Sequence, residues 1–233
     1  DNHYLNSSII YALWKDEKNR GWIGTEDGGI NIYDPAKGIF EYLRARENNP
    51  NSISEDCIKA FLDDKDGNLW IGTFWGGIDV LNLKSGNITH YRHSPDDPKS
   101  LSDNRVWAFC IDASKNIWVG TSVGVDRFDP ETKIFSHFPD LVNNVQVNWI
   151  KTDSDGDIWI GTLDEIVIYN PDNGKIIRHN ERTKFFHEDT EKRFWIATLD
   201  KGLAQYSKTE GAVRYYSEKD GLSNNQTLCI LED

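Results

Sequence analysis

Repeated four-stranded antiparallel sheets, an all-β architecture, are what this sequence predicts, and three observations predict them. The tetrapeptide Trp22-Ile23-Gly24-Thr25 returns as Trp70-Ile71-Gly72-Thr73, Trp118-Val119-Gly120-Thr121 and Trp159-Ile160-Gly161-Thr162. Trp195-Ile196-Ala197-Thr198 is a fifth copy, with Ala for Gly. An aspartate stands six residues ahead of each tryptophan, at Asp16, Asp64, Asp112, Asp153 and Asp189. Between the copies run short alternating apolar segments bounded by Gly, Pro, Asn and Asp, the pattern of antiparallel strands.

Each unit reads in the same order. A first strand is apolar and small, as in "IIYALW", "IKAFLD" and "VWAFCID", with Ala12, Ala60 and Ala108 in register. A polar turn such as "DKDGN" or "DSDGD" leads into the second strand, which carries the tryptophan. A short loop leads to a third strand such as "GINIYD" or "GIDVLN", and a Pro/Gly/Lys turn to a fourth with aromatic alternation, such as "GIFEYL" or "KIFSHF". The tryptophans are 48, 48, 41 and 36 residues apart, a period of propeller blades rather than of helical repeats. Radially arranged four-stranded sheets make a β-propeller.

The units are expected at residues 5–48, 49–97, 98–140, 141–179 and 180–220. "GLSNNQTLCILED" at 221–233 restarts the pattern, with Asp233 in the place of the repeated aspartate. The chain therefore reads as five blades plus the first strand of a sixth, a segment of a longer propeller. The repeated Trp is expected to pack blade on blade. The small residue two positions later should admit a neighbouring backbone, and the Asp should start the turn by accepting backbone N–H groups.

Composition excludes several functions. The chain has 233 residues, 38% hydrophobic and 27% charged, with a net charge of −12. That balance disfavours nucleic acid, which needs concentrated Lys and Arg. No apolar run approaches the roughly 20 residues of a membrane helix, so this segment is not expected to enter a membrane. It opens at Asp1 and lacks Met, which reads as a piece of a longer protein. Cys57, Cys110 and Cys229 fall in apolar strand-like runs without metal-ligand spacing and are expected to be buried free thiols.

Chemistry-bearing motifs are scarce. "DKDG" and "DSDG" lack the later acidic positions of a calcium loop and read as hairpin turns. His90 and His93 should point to opposite faces of one strand, so no shared metal is expected. There is no H-E-x-x-H, no G-x-S-x-G and no phosphate loop. Neither a cofactor nor a catalytic residue is selected, and the chain is read as non-enzymatic.

"DKDGNLWIGTFWGGIDVLN", Asp64 to Asn82, and "LSDNRVWAF", Leu101 to Phe109, resemble the two-component regulator propeller repeat. The resemblance implies the extracytoplasmic, periplasmic sensor region of a hybrid two-component system, of a kind abundant in glycan-degrading bacteria. It further implies a seven-bladed ring, a membrane span and a histidine kinase elsewhere in the parent, an oligosaccharide as ligand, and signalling as a homodimer. The rival readings are a protein-interaction scaffold and a propeller lyase or glycoside hydrolase.

Binding residues are expected where the units diverge, on the face carrying the second-to-third loops and the blade-to-blade connections, since loops on a rigid scaffold carry function. Phe74-Trp75 interrupts a position held elsewhere by Glu26-Asp27, Ser122-Val123, Leu163-Asp164 and Leu199-Asp200. Trp75 is therefore the leading candidate for stacking on a sugar ring. A second set comes from one variable position of the inner strands: Tyr11, Lys59, Trp107, Asn148 and Lys184. Arg105, with His93 and Lys99 nearby, could supply positive charge for a carboxylate or sulfate, opposed by Asp96, Asp97 and Asp103.

Overall fold

The computed structural model describes residues 3–232; Asp233, the expected aspartate of a sixth unit, lies outside them. Among the described residues there are five four-stranded antiparallel sheets and one 3-10 turn. The first sheet joins β1 (Ile10–Lys15), β2 (Gly21–Thr25), β3 (Ile30–Asp34) and β4 (Ile39–Leu43). The second joins β5 (Ile58–Asp63), β6 (Asn68–Thr73), β7 (Ile78–Asn82) and β8 (Ile88–Tyr91). The third holds β9 (Val106–Ile111), β10 (Ile117–Thr121), β11 (Val125–Asp129) and β12 (Ile134–His137). The fourth holds β13 (Trp149–Thr152), β14 (Ile158–Gly161), β15 (Ile166–Tyr169) and β16 (Ile176–His179). The fifth holds β17 (Thr183–Glu188), β18 (Phe194–Thr198), β19 (Leu203–Ser207) and β20 (Gly211–Tyr216). Strands pair in chain order within every sheet, so each is a meander needing only tight turns.

By density of contacts the chain divides into two compact units. The first is Asp1–Phe109 with Phe128–Ser136; the second is Cys110–Arg127 with His137–Asp233. In the first, a core of Trp22, Ile30, Ile32, Ile53, Ile58, Leu69, Ile71 and Leu81 is buried, and Trp70 meets Phe128 edge-on at 5.0 Å. In the second, Trp159 lies 4.6 Å from Phe186 and 4.9 Å from Phe194. Truncating one such buried tryptophan to alanine typically costs about 3–5 kcal/mol.

The repeated aspartate does two jobs. One carboxylate oxygen caps the turn: Asp64 Oδ1 accepts from Asp66 N and Asn68 N, and Asp153 Oδ1 from Asp155 N and Asp157 N. The other accepts the indole N–H six residues on, at 3.0, 3.2, 2.9, 2.7 and 2.8 Å in the five copies. The repeated glycine also needs a corrected reason, because a side chain rather than a backbone approaches it. A Cβ on Gly24 would stand 2.7 Å from Ile58 Cγ2, one on Gly72 2.8 Å from Val106 Cγ1, and one on Gly120 2.6 Å from Val147 Cγ1.

The blade-to-blade connections follow a lattice of their own. Asp56 O accepts Gly29 N at 2.8 Å, Asn104 O accepts Gly77 N at 3.0 Å, and Asn225 O accepts Gly202 N at 2.7 Å. The side chains of these three residues each accept one further backbone N–H, from Ala45, His93 and Glu218, all at 2.8 Å. Residues 221–227 thus leave the fifth sheet along the route taken out of the first and second. No strand forms over residues 221–232, where the sequence predicts the first strand of a sixth unit.

The expectation of three buried thiols is corrected. Cys110 is buried, but Cys57 is only half-buried and Cys229 is exposed. The inner strand of the first sheet is more exposed than its counterparts. Ile10 is 44% exposed and Leu13 73%, whereas Ile58, Val106 and Val147, the counterparts of Ile10, are fully buried.

Candidate functional site

Four of the expected ligand residues gather in the first unit, around a lysine. Tyr11 comes from β1, Lys59 from β5 and Trp107 from β9, all at the same position of their inner strands; Phe74 and Trp75 follow β6. Lys59 Nζ stands 3.3 Å from the Tyr11 ring centroid, 5.0 Å from that of Phe74 and 5.2 Å from that of Trp107. Phe74 meets Trp75 at 5.0 Å and Trp107 at 5.5 Å, both edge to face. An ammonium over ring faces gains quadrupole attraction while its stem packs against them. The lysine and the three rings it meets thus pack as one cluster, with Trp75 against Phe74 at its edge.

Polar groups flank this cluster. Tyr11 Oη donates to Glu26 Oε1 at 3.0 Å, and Glu55 Oε2 accepts the backbone N–H of Trp75. Trp75 is 60% exposed, with the Arg105 guanidinium 5.5 Å from its ring centroid. Exposed aromatic faces beside carboxylates and an ammonium can stack on the C–H face of a ring and bond its hydroxyls.

The remaining expected residues are otherwise engaged. Arg105 is not a free positive charge: its Nε and Nη2 donate to Asp103 Oδ1 and Oδ2 at 2.8 and 2.9 Å. Burial would raise the Asp103 carboxyl, but the bonds from Arg105 outweigh it and hold the group below its ordinary range. His93 Nδ1 lies 2.8 Å from Leu101 O, and its residue follows the end of β8, so the expected strand alternation with His90 does not apply. Asn148 belongs to the second unit, where Gln146 Nε2 donates to its Oδ1 at 2.8 Å and its own amide nitrogen is buried with no hydrogen-bond partner among the described residues.

A second concavity of the first unit, about 630 Å³ in volume, lies between the connection out of the first sheet and the end of β8. Sequence reasoning passed over it. Ser54 and His90 line it, with Ser54 Oγ 3.1 Å from His90 Nδ1 and the buried Asp79 beneath them, but not as a nucleophile and base. Both Ser54 Oγ and His90 Nδ1 bond the same oxygen, Asp79 Oδ1, at 2.5 and 2.6 Å. His90 Nε2 is taken by Pro50 O at 2.8 Å. A serine nucleophile needs the nitrogen opposite the carboxylate, and here that nitrogen is spent on the backbone.

The meandering sheets, the repeated Trp–Asp bond and the shared connection lattice define a β-propeller segment. Residues 52–75, 100–123 and 140–164 match the two component regulator propeller family model, so these three stretches, one in each of the second, third and fourth units, are copies of that repeat. No curated protein matches the sequence. Among solved structures, the extracellular domain of the hybrid two component system BT3049 from B. thetaiotaomicron superposes with a TM-score of 0.79 at 22% identity. That of BT4673 from the same organism superposes with 0.73 at 22% identity. Each match covers 91% of this chain and 30% of the other, so the chain spans under a third of their length. Virginiamycin B lyase from Staphylococcus aureus is similar over 93% of this chain and 72% of its own, with a TM-score of 0.70 at 14% identity. At these identities the likenesses establish the fold.

Proposed function

We propose that this chain is part of the extracytoplasmic, periplasmic sensor propeller of a hybrid two-component protein and that it binds an oligosaccharide through Tyr11, Phe74, Trp75 and Trp107. The single observation that carries the reading is the aromatic cluster around Lys59, with Trp75 standing open to solvent. The likeness to extracellular domains of hybrid two component systems supports the sensor part. Further blades would cover the open face of the first sheet at Ile10 and Leu13. The kinase would lie elsewhere in the parent, which would signal as a homodimer. Such a switch works only if the ligand binds the two signalling states with different affinity. We read the chain itself as non-enzymatic, since its Ser54, His90 and Asp79 lack nucleophile geometry.

Calorimetric titration of a panel of neutral oligosaccharides, repeated with Trp75→Ala, tests this. Saturable binding by one sugar family, weakened in the variant, is the expected result. Binding that ignores the substitution would move the site away from Trp75. Silence across the panel would overturn the saccharide reading in favour of a protein-interaction surface.

A further inference from the structure

The positive charge expected of Arg105 is found elsewhere in the first unit, and the comparison of two connections explains why. Arg44 follows β4 and is paired: its Nε donates to Asp56 Oδ2 at 2.9 Å and its Nη2 lies 2.7 Å from the same oxygen. Arg92 follows β8 at the matching place, but the residue corresponding to Asp56 is now Asn104. Asn104 still accepts the connection's backbone N–H, from His93. It offers no carboxylate, so Arg92 turns its Nη2 to Ser54 Oγ at 3.1 Å instead. Arg46, on the connection out of the first sheet, is also exposed and lines the same cavity, and among the described residues neither arginine forms an ion pair with a carboxylate.

Arg46 and Arg92 both line the 630 Å³ concavity, together with His90, Asn48, Ser54 and Glu47. His90 is fully engaged by Asp79 and Pro50, so it closes the floor rather than competing for a ligand. The charges facing the cavity are then Arg46 and Arg92 against Glu47, with Asp79 sealed beneath His90. A guanidinium with unspent donors in a cavity is matched to the planar or tetrahedral oxyanion of a carboxylate or sulfate. Ser54, which holds Arg92, precedes Glu55, which accepts the Trp75 N–H. One connection thus braces both the cavity and the aromatic cluster.

We infer that the cavity between Arg46 and Arg92 is an oxyanion site that takes the carboxylate or sulfate of an acidic saccharide. The saccharide part rests on the sensor reading above; the oxyanion part does not.

The test is titration of the full chain with sodium D-glucuronate, D-glucose 6-sulfate and D-glucose at constant ionic strength, followed by calorimetry and by amide shifts in ¹⁵N spectra. Glucuronate, glucose sulfate or both should saturate, with shifts at Ser54, His90 and Arg92, and glucose should not; which anion binds tells carboxylate from sulfate. Arg92→Gln and Arg46→Gln should each weaken binding roughly tenfold while the melting temperature holds, and Trp75→Ala should leave binding of these monosaccharides intact. Equal binding by glucose, or anion binding that survives the double substitution of both arginines, would overturn the inference. So would the absence of saturable binding by either anion. If neutral oligosaccharides still bound through Trp75 in that case, the sensor reading would stand alone; if the anions bound and the neutral panel was silent, only the oxyanion site would stand.

Discussion

Trp118 Nε1 donates to Asp112 Oδ2 at 2.9 Å, and the indole ring around that bond is fully buried. The carboxylate also accepts Asn116 N at 2.9 Å, so one side chain closes the hairpin turn and satisfies the donor of the core residue after it. Removing it strands an indole N–H away from water. Asp112→Ala should therefore destabilise the protein by about 1–3 kcal/mol in urea unfolding, and Asp112→Asn by less, because it keeps an acceptor.

The same bond makes two of the copies acid-sensitive. Burial would raise the Asp16 carboxyl above its ordinary 3.8, but bonds from the Trp22 indole and from Arg20 bring it below that value. Asp189 is lowered in the same way, by Trp195 and Arg193 against the effect of burial. A folded-state value below the unfolded one means stabilisation that is complete above the unfolded pKa and fades as pH falls through the folded one. The melting temperature should thus drop as pH is lowered from about 5 to about 2. In an Asp16→Asn, Asp189→Asn double variant the drop should be shallower; an equal drop would mean other carboxylates carry it.

The five units were legible in the sequence because Asp16 with Trp22, and each later pair, recur at a fixed separation that a turn followed by a buried strand requires. Lys59 as the centre of the cluster was not legible. Tyr11, Lys59 and Trp107 each belong to a different sheet, and only the packing of sheets brings them to within about 5 Å. The quenching of Arg105 could have been read from Asp103 two residues earlier. The release of Arg92 could have been read from Asn104 standing where the preceding unit has Asp56. Both signals are substitutions between copies of one repeat, which matter more here than any motif taken alone.

The three cysteines should report the fold by their reactivity. Burial pushes the Cys110 thiol up to about 12, leaving almost no thiolate at neutral pH. Cys57 is half-buried and also raised by burial, while Cys229 is exposed. Alkylation of the native chain should modify Cys229 first, Cys57 more slowly, and Cys110 only on unfolding. Early labelling of Cys110 would show that the region around β9 opens below the global unfolding free energy.

Gly161 faces Trp149 across β13 and β14, and a Cβ there would fall 1.9 Å from the indole Cε2. The corresponding pair in the fifth sheet is Ala197 opposite Phe185, where a methyl group is already accommodated. Gly161→Ala should accordingly cost about 1–3 kcal/mol through forced movement of the Trp149 ring. Ala197→Gly overpacks nothing and should cost about 1 kcal/mol or less. Equal effects in thermal unfolding would show that the Trp149 ring can swing aside without loss.

Lys208 joins two sheets through charge. From the turn between β19 and β20 its ammonium reaches Asp153, Asp155 and Asp157 Oδ2 at 2.7, 2.9 and 2.6 Å, all in the turn before β14. Burial would lower the Lys208 amine, yet these three carboxylates outweigh it and keep it well above its ordinary value. The "DSDGD" turn thus holds a tethered ammonium among its three carboxylates. Lys208→Met would leave Asp153, fully covered, beside Asp157 with no counter-charge, a loss on the order of 3 kcal/mol. Asp157→Asn in the same chain should recover part of it, since one repulsive charge is removed; a double-mutant cycle in urea measures that coupling. Zero coupling would mean that solvent screens the cluster and that uncharged contacts, such as Trp159 on Phe186 and Phe194 and the Trp149–Thr183 hydrogen bond, hold the fourth and fifth sheets together.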